Sequence, residues 1–277
     1  MDLTIQPCKL RGEISVIPSK SIAHRYLICS AFADNPTTLI CPETNRDMDA
    51  TVDCLNALGA HILRTDTGYQ ITPIAVLPQK ADLDCCESGS TLRFLLPIAG
   101  ALGIDATFHM AGRLPQRPLS PLWEEMERMG CHLERPTENT LRCHGKLRSG
   151  KYGIDGSISS QFITGLLFAL SLIHGATELE ITGKVESQPY ITMTRKAMEL
   201  FHAPYYHSQG NIAIEGDWSN GAFFIAAAHL GSNIRVLGLN PDSIQGDRVV
   251  VEILEQLEVG SATIDVKDIP DLVPRSS

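Results

Sequence analysis

The chain has 277 residues, 43% of them hydrophobic and 20% charged, and carries a net charge of −9 with no run of Lys or Arg. That is the composition of a globular protein of one large or two ordinary domains, and its acidic balance argues against a nucleic-acid or membrane surface, which would need a basic field. No apolar run reaches bilayer-spanning length, Met1-Asp2-Leu3-Thr4 does not read as a signal peptide, and the eight cysteines are scattered without a C-x-x-C pair, so a cytoplasmic protein with reduced thiols and no metal site is expected.

Residues 3–5 and 12–17 read as strands, the second stopped by Pro18. Residues 21–32 follow as a helix whose Ile22, Tyr26, Leu27 and Ala31 form an apolar stripe, and 37–40 as a strand. A polar loop at 43–47 leads to a helix over 48–58, ended by Gly59 as a C′ glycine, and then to a hairpin of 60–63 with 69–71. The order then returns: helix 90–102, strand 106–110, loop 113–118, helix 119–129 ended by Gly130, and a hairpin of 132–134 with 140–143. A third pass gives helix 160–174, strand 177–181, helix 192–201 and a hairpin of 205–207 with 212–214. A fourth begins with helix 220–230, strand 233–236 and helix 248–257. It then loses the hairpin, because 259–262 runs straight into a strand-like 263–266, and 268–272 looks like the opening of a fifth unit.

The first three units recur about every 70 residues, a period at which an internal repeat decides the fold. A β-α-β-α-β-β unit cannot cover both faces of its own sheet. Three of them can pack their long helices inward and their sheets outward, making 21–27, 90–101 and 161–172 a shared core. The expected architecture is α/β, with one complete three-repeat domain at 14–210 and part of a second domain formed by 1–13 and 211–277.

Four helix openings share a chemistry: Ser19-Lys20-Ser21, Ser88-Gly89-Ser90-Thr91, Ser159-Ser160-Gln161 and Trp218-Ser219-Asn220. A helix N-terminus offers unpaired N–H groups and partial positive charge. Repeated and armed with Lys20, Arg25 and Arg93, such ends suit a small, highly anionic ligand.

The segment Ile17-Pro18-Ser19-Lys20-Ser21-Ile22-Ala23-His24-Arg25 resembles the substrate-binding segment of the 5-enolpyruvylshikimate-3-phosphate synthases (3-phosphoshikimate 1-carboxyvinyltransferases). Four more segments match in order: Ser88-Gly89-Ser90-Thr91-Leu92-Arg93, Arg117-Pro118-Leu119, Asp155-Gly156-Ser157-Ile158-Ser159-Ser160-Gln161-Phe162, and Gly246-Asp247 followed by Ile269-Pro270-Asp271. The resemblance implies an inside-out α/β prism of two similar three-repeat domains with the active site in the cleft between them. It also implies the reaction, in which the 5-hydroxyl of shikimate 3-phosphate attacks phosphoenolpyruvate and phosphate leaves. That chemistry calls for no metal or organic cofactor, admits glyphosate as an inhibitor, and goes with a monomer.

Carried onto this chain, the resemblance gives Lys20 contact with both substrates. It puts Ser21, Arg25, Ser159, Ser160, Gln161 and Ser187 on shikimate 3-phosphate, and Gly89, Arg117 and Gln161 on phosphoenolpyruvate. Asp271 becomes the acid–base residue for the shikimate hydroxyl, although Ile-Pro-Asp also suits a helix N-cap. Ser159 and Ser160 would serve equally as plain helix caps. His24 reads as structural, Arg93 as a support for its loop, and Glu87 stands where the family often has Asn.

Full-length members continue beyond this chain with a Lys/Glu/Arg-rich segment, an Asp-His-Arg segment and a late Lys. Each charged clamp contact is worth about 1.5–3 kcal/mol, so this chain by itself is expected to bind shikimate 3-phosphate weakly and turn over little. The sister family that transfers enolpyruvyl to UDP-N-acetylglucosamine carries Lys-Asn in the first motif and a loop Cys. Here Lys20 is followed by Ser21, and 113–118 holds no Cys. A non-catalytic shikimate-phosphate-binding fragment or pseudoenzyme is the reading from a different functional class.

Overall fold

The computed structural model describes residues 8–258 together with Gln6, Gly260, Ile269 and Leu272. The chain divides into two compact units, Lys20–Ile214 and the combination of Met1–Ser19 with Glu215–Ser277. Strand β1 (Arg11–Ser15) pairs in parallel with residues late in the chain, Arg11 opposite Asn233 and Ser15 opposite Leu237, and so leaves the larger unit.

In the larger unit the elements run α1 (Lys20–Ala31), β2 (Thr37–Ile40), α2 (Arg46–Ala57), β3 (His61–Thr65), β4 (Gly68–Thr72), β5 (Lys80–Asp84), α3 (Gly89–Leu102), β6 (Asp105–His109), α4 (Leu122–Arg128), β7 (Cys131–Thr137), β8 (Thr140–Gly145), β9 (Gly150–Asp155), α5 (Ser160–Ser171), β10 (Thr177–Thr182), α6 (Gln188–Leu200) and β11 (Asn211–Ala213). The middle repeat is β5-α3-β6-α4-β7-β8, and its sheet has the order β5-β6-β8-β7, with β5 parallel to β6 and an antiparallel β7–β8 hairpin. Strands β5 and β9 escape a sequence reading. Lys80-Ala81-Asp82-Leu83-Asp84 buries only Ala81 and Leu83, too short an alternation to stand out from a loop.

The first repeat has sheet order β11-β2-β4-β3, so its outer strand comes from the far end of the unit. Asn211 lies opposite Thr38 and Ala213 opposite Ile40, in parallel. This corrects the hairpin expected of 205–207 with 212–214. Residues 205–207 form no strand: Tyr206 is buried and its hydroxyl shares a 2.8 Å hydrogen bond with Ser171 Oγ. In the third repeat β9 and β10 pair in parallel, and the chain that would make a hairpin delivers β11 to the first sheet instead.

That crossing is fastened at Asp34. Its carboxylate accepts from His207 Nδ1 at 2.7 Å and from Ser208 N at 2.9 Å, and Ser208 Oγ donates to Pro36 O at 2.7 Å. The His207 bond first, then the Ser208 N–H, pulls the Asp34 carboxyl from an ordinary 3.8 down to about 2. A depressed carboxylate contributes stability that is present above its unfolded value and lost as pH falls through the folded one. Asp34→Asn should therefore flatten the acid limb of stability between about pH 4 and pH 2, measured as the urea midpoint against pH.

Pro97 lies inside α3 and has no N–H to offer the carbonyl of Arg93, four residues back. That carbonyl meets α5 instead: a Cβ built on Gly165 would lie 2.1 Å from Arg93 O and 2.9 Å from Pro97 Cγ. Only glycine allows the approach. Helix α1 joins the same core where the His24 ring meets the Phe94 ring edge-on, centroids 6.2 Å apart. Leu27, Leu95, Leu96, Phe162, Leu166 and Phe168 are fully enclosed, each worth about 1.5–3 kcal/mol of burial.

The smaller unit contains α7 (Trp218–His229), β12 (Asn233–Leu237), which is the partner of β1, and α8 (Val250–Glu258). Trp218, Ala222 and Val250 form its buried cluster. The strands expected at 3–5 and 263–266 lie outside the described residues, as does Asp271. Among the described residues no helix is long and apolar enough to cross a membrane.

Candidate functional site

Five helices of the larger unit begin beside one another, and their first turns are tied by side chains. Lys20, the first residue of α1, donates from Nζ to Asp47 Oδ2 at 3.0 Å in the first turn of α2. The Asp47 carbonyl accepts from Thr91 Oγ1 at 3.3 Å in the first turn of α3. Ser90, also in that turn, accepts from Gln161 Nε2 at 3.0 Å in the first turn of α5. Arg25, one turn into α1, donates from Nη2 to Tyr190 O at 2.9 Å at the start of α6. The positive ends of these helices therefore gather at one end of the bundle.

Sequence and local structure agree on why the helices start there. Ser88 caps α3, its hydroxyl accepting from Thr91 N at 3.2 Å, and Ser159 caps α5 by accepting from Gln161 N at 3.3 Å. Asn45 caps α2, taking Asp47 N and Met48 N at 3.1 Å each. Ser187 stands at the α6 cap with φ at 57° and is buried. Ser21 and Ser160 open α1 and α5 half-exposed.

The cations of this end sit in different surroundings. The Lys20 side chain is 46% exposed. Arg25 is 2% exposed and donates from Nε to Thr194 Oγ1 at 2.9 Å, from Nη1 to Ser21 O at 2.5 Å, and from Nη2 to Thr164 Oγ1 at 3.4 Å as well as to Tyr190. Burial draws its pKa down to about 10. Arg93 is 4% exposed and holds Gln161 Oε1 at 2.8 Å and Pro118 O at 3.3 Å, so it braces both the α5 opening and the loop after Arg117. Burial first, and the charge of Arg117 second, bring Arg93 to about 10.

Gly89 lies beneath both guanidinium groups. A Cβ built there would lie 2.5 Å from Arg117 Nη1 and 2.7 Å from Arg93 Nη1. Arg117 is exposed and its side chain makes no hydrogen bond or ion pair among the described residues, so its fork is available to an anion over Gly89. Lys20, Arg93, Arg117 and the helix ends thus make a local positive field in an acidic protein, opposed at close range by Asp47.

The family model described as EPSP synthase (3-phosphoshikimate 1-carboxyvinyltransferase) matches residues 5–276. The chain belongs to the EPSP synthase family. It is 34% identical over 304 residues to the 3-phosphoshikimate 1-carboxyvinyltransferase of Clostridium kluyveri, covering 98% of this chain and 71% of the relative. With the enzyme of the same description from Clostridium botulinum Eklund 17B it shares 36% over 309 residues, again 98% and 71%. The EPSP synthase of Acinetobacter baumannii superposes with a TM-score of 0.70 at 20% identity, over 90% of this chain and 60% of that chain. This chain therefore spans 60% of that solved chain's length. The likeness gives the fold, which is the α/β enolpyruvyl transferase fold built from βαβαββ repeats.

Within the EPSP synthase frame, the structure brings Lys20, Ser21, Arg25, Gly89, Ser159, Ser160 and Gln161 to linked helix openings, with Arg117 over Gly89. Sequence reasoning missed two participants and gave no role to a third. Asp47 holds Lys20, while Thr51 and Thr91, the latter already within a helix opening, link α1, α2 and α3 through hydroxyls. The sequence signal for Asp47 and Thr51 is that they are one helical turn apart, facing the same way.

Proposed function

We propose that this chain transfers the enolpyruvyl group of phosphoenolpyruvate to the 5-hydroxyl of shikimate 3-phosphate in the shikimate pathway. The observation that carries the reading is the gathering of helix openings bearing Lys20, Gly89, Ser160 and Gln161, with the Arg117 fork at Gly89. In this reading the hydroxyls of Ser159 and Ser160 and the free N–H groups of α5 hold the 3-phosphate. Ser21, Ser187 and the second Nη1 hydrogen of Arg25 take the rest of shikimate 3-phosphate. Arg117 forks onto phosphoenolpyruvate, Gly89 lets that ligand approach the backbone, and Lys20 lies between the two ligands.

The 5-hydroxyl oxygen bonds to C2 of phosphoenolpyruvate while its proton passes to a base, and C3 gains a proton. The tetrahedral adduct then loses phosphate as the C2–O bond breaks, and a proton leaves C3 to restore the enol. Asp271 is the proposed acid–base residue for the hydroxyl. Cationic groups fixed before reaction stabilise the charge that develops on both phosphates.

Calorimetry with shikimate 3-phosphate, followed by phosphoenolpyruvate or glyphosate on the loaded protein, tests the reading. Ordered binding of the second ligand and release of phosphate with both substrates are expected. A chain that binds shikimate 3-phosphate but releases no phosphate would be a binding module, and one that binds neither would refute the site. Gly89→Ala is expected to raise KM for phosphoenolpyruvate by about tenfold or more, with little change in affinity for shikimate 3-phosphate. The added methyl collides with Arg117, the proposed anion clamp, and with the buried, braced Arg93.

A further inference from the structure

Three hydroxyls and one imidazole form a buried chain behind the helix openings. His24 Nδ1 and Thr51 Oγ1 share a hydrogen bond of 2.7 Å, and so do Thr51 and Thr91 through their Oγ1 atoms. Thr91 Oγ1 donates to Ser88 Oγ at 2.7 Å and lies 3.3 Å from the Asp47 carbonyl. All four side chains are buried, with Thr51 at 0% and His24, Thr91 and Ser88 at 1% exposure. They come from α1, α2, α3 and the α3 cap, so one chain of protons crosses all three helices whose openings carry Lys20, Asp47 and Gly89.

The direction of that chain follows from His24. Its Nε2 is buried without a hydrogen-bond partner among the described residues. An orphaned acceptor is more tolerable than an orphaned N–H, so the proton belongs on Nδ1. Nδ1–H then donates to Thr51, Thr51 to Thr91, and Thr91 gives its one proton to Ser88 at 2.7 Å, with the Asp47 carbonyl the longer alternative acceptor at 3.3 Å. Burial first, then the charge of Lys20, pushes the His24 pKa down to about 3, so the imidazole stays neutral and supplies no proton to chemistry.

We infer that Thr91 is a positioning residue for the enolpyruvyl transfer: with Thr51 and His24 it fixes the start of α2 against the starts of α1 and α3, and so sets Asp47 and the Lys20 ammonium that Asp47 holds. The inference rests on the functional reading above. Thr91 acts through Lys20 and touches no ligand itself.

The test is a double-mutant cycle read by calorimetry with shikimate 3-phosphate. Thr91→Val keeps the volume and removes the hydroxyl. It is expected to weaken binding about tenfold or more, with Thr91→Ser restoring most of the loss. In a Lys20→Met background, Thr91→Val should cost much less than it does alone, because the group it positions is gone. Equal losses in both backgrounds would make Thr91 a merely structural residue and overturn the inference, as would unaltered affinity in Thr91→Val. Should Thr91→Val fail to fold, Thr51→Val, which removes the neighbouring hydroxyl, and His24→Asn read the same coupling, and additivity with Lys20→Met there overturns it too. If the unsubstituted protein does not bind shikimate 3-phosphate at all, the functional reading fails first, and the inference built on it falls with it.

Discussion

Lys20→Ala should weaken binding of shikimate 3-phosphate by about 100-fold or more while leaving the fold intact. A charge-assisted contact contributes about 1.5–3 kcal/mol, and Lys20 is proposed to touch both ligands, so more than one such contact goes at once; each 1.4 kcal/mol is a factor of ten. Nothing comparable is lost from the protein. The Lys20 side chain is 46% exposed and its ion pair with Asp47, itself 33% exposed, spans 3.0 Å, and an exposed pair is worth about 0–1 kcal/mol. Thermal unfolding should move by no more than a few degrees. Lys20→Arg is a sharper variant, since a planar fork in place of a compact ammonium keeps the charge but not its shape. Calorimetry and a melting curve on the same samples decide. Full affinity in Lys20→Ala would remove Lys20 from the site.

The repeat was legible because each unit announces itself with a hydroxyl-bearing helix opening, and the first two close a helix with glycine, at Gly59 and Gly130. These are local signals, written in adjacent residues. Strand β5 was not legible because its two buried residues give no pattern distinct from a loop. The role of β11 was not legible either, because Asn211-Ile212-Ala213 fits a hairpin and a parallel edge equally well. Only the return of the chain to the first sheet decides between them. The site followed the same rule. Ser88, Ser159 and Lys20 lie in motifs, whereas Thr51 and Asp47 acquire meaning from contacts across 27 to 44 residues of sequence.

Arg25 shows why a motif does not rank its own members. Lys20 and Arg25 stand five residues apart in one segment, and both read as cations for a ligand. In the fold Lys20 points to the exposed carboxylate of Asp47, while Arg25 goes into the core against the Phe94 ring, 5.3 Å from its centroid. Four of its five N–H groups are spent on Ser21 O, Tyr190 O, Thr164 Oγ1 and Thr194 Oγ1, joining α1 to α5 and α6. Arg25→Ala removes all four donors at once from two part-buried carbonyls and two buried threonine hydroxyls, and leaves a cavity. The expected loss is about 3–5 kcal/mol, a large share of the roughly 5–15 kcal/mol that holds a domain folded. Arg25→Lys should recover only part of it, because one ammonium cannot reach acceptors on three helices. Urea unfolding measures this directly. The two substitutions should therefore separate: Lys20→Ala a folded protein that has lost its ligand, Arg25→Ala a protein that has lost much of its fold and its ligand together. A stable Arg25→Ala variant defective only in binding would reverse the assignment and make the buried guanidinium a ligand group first.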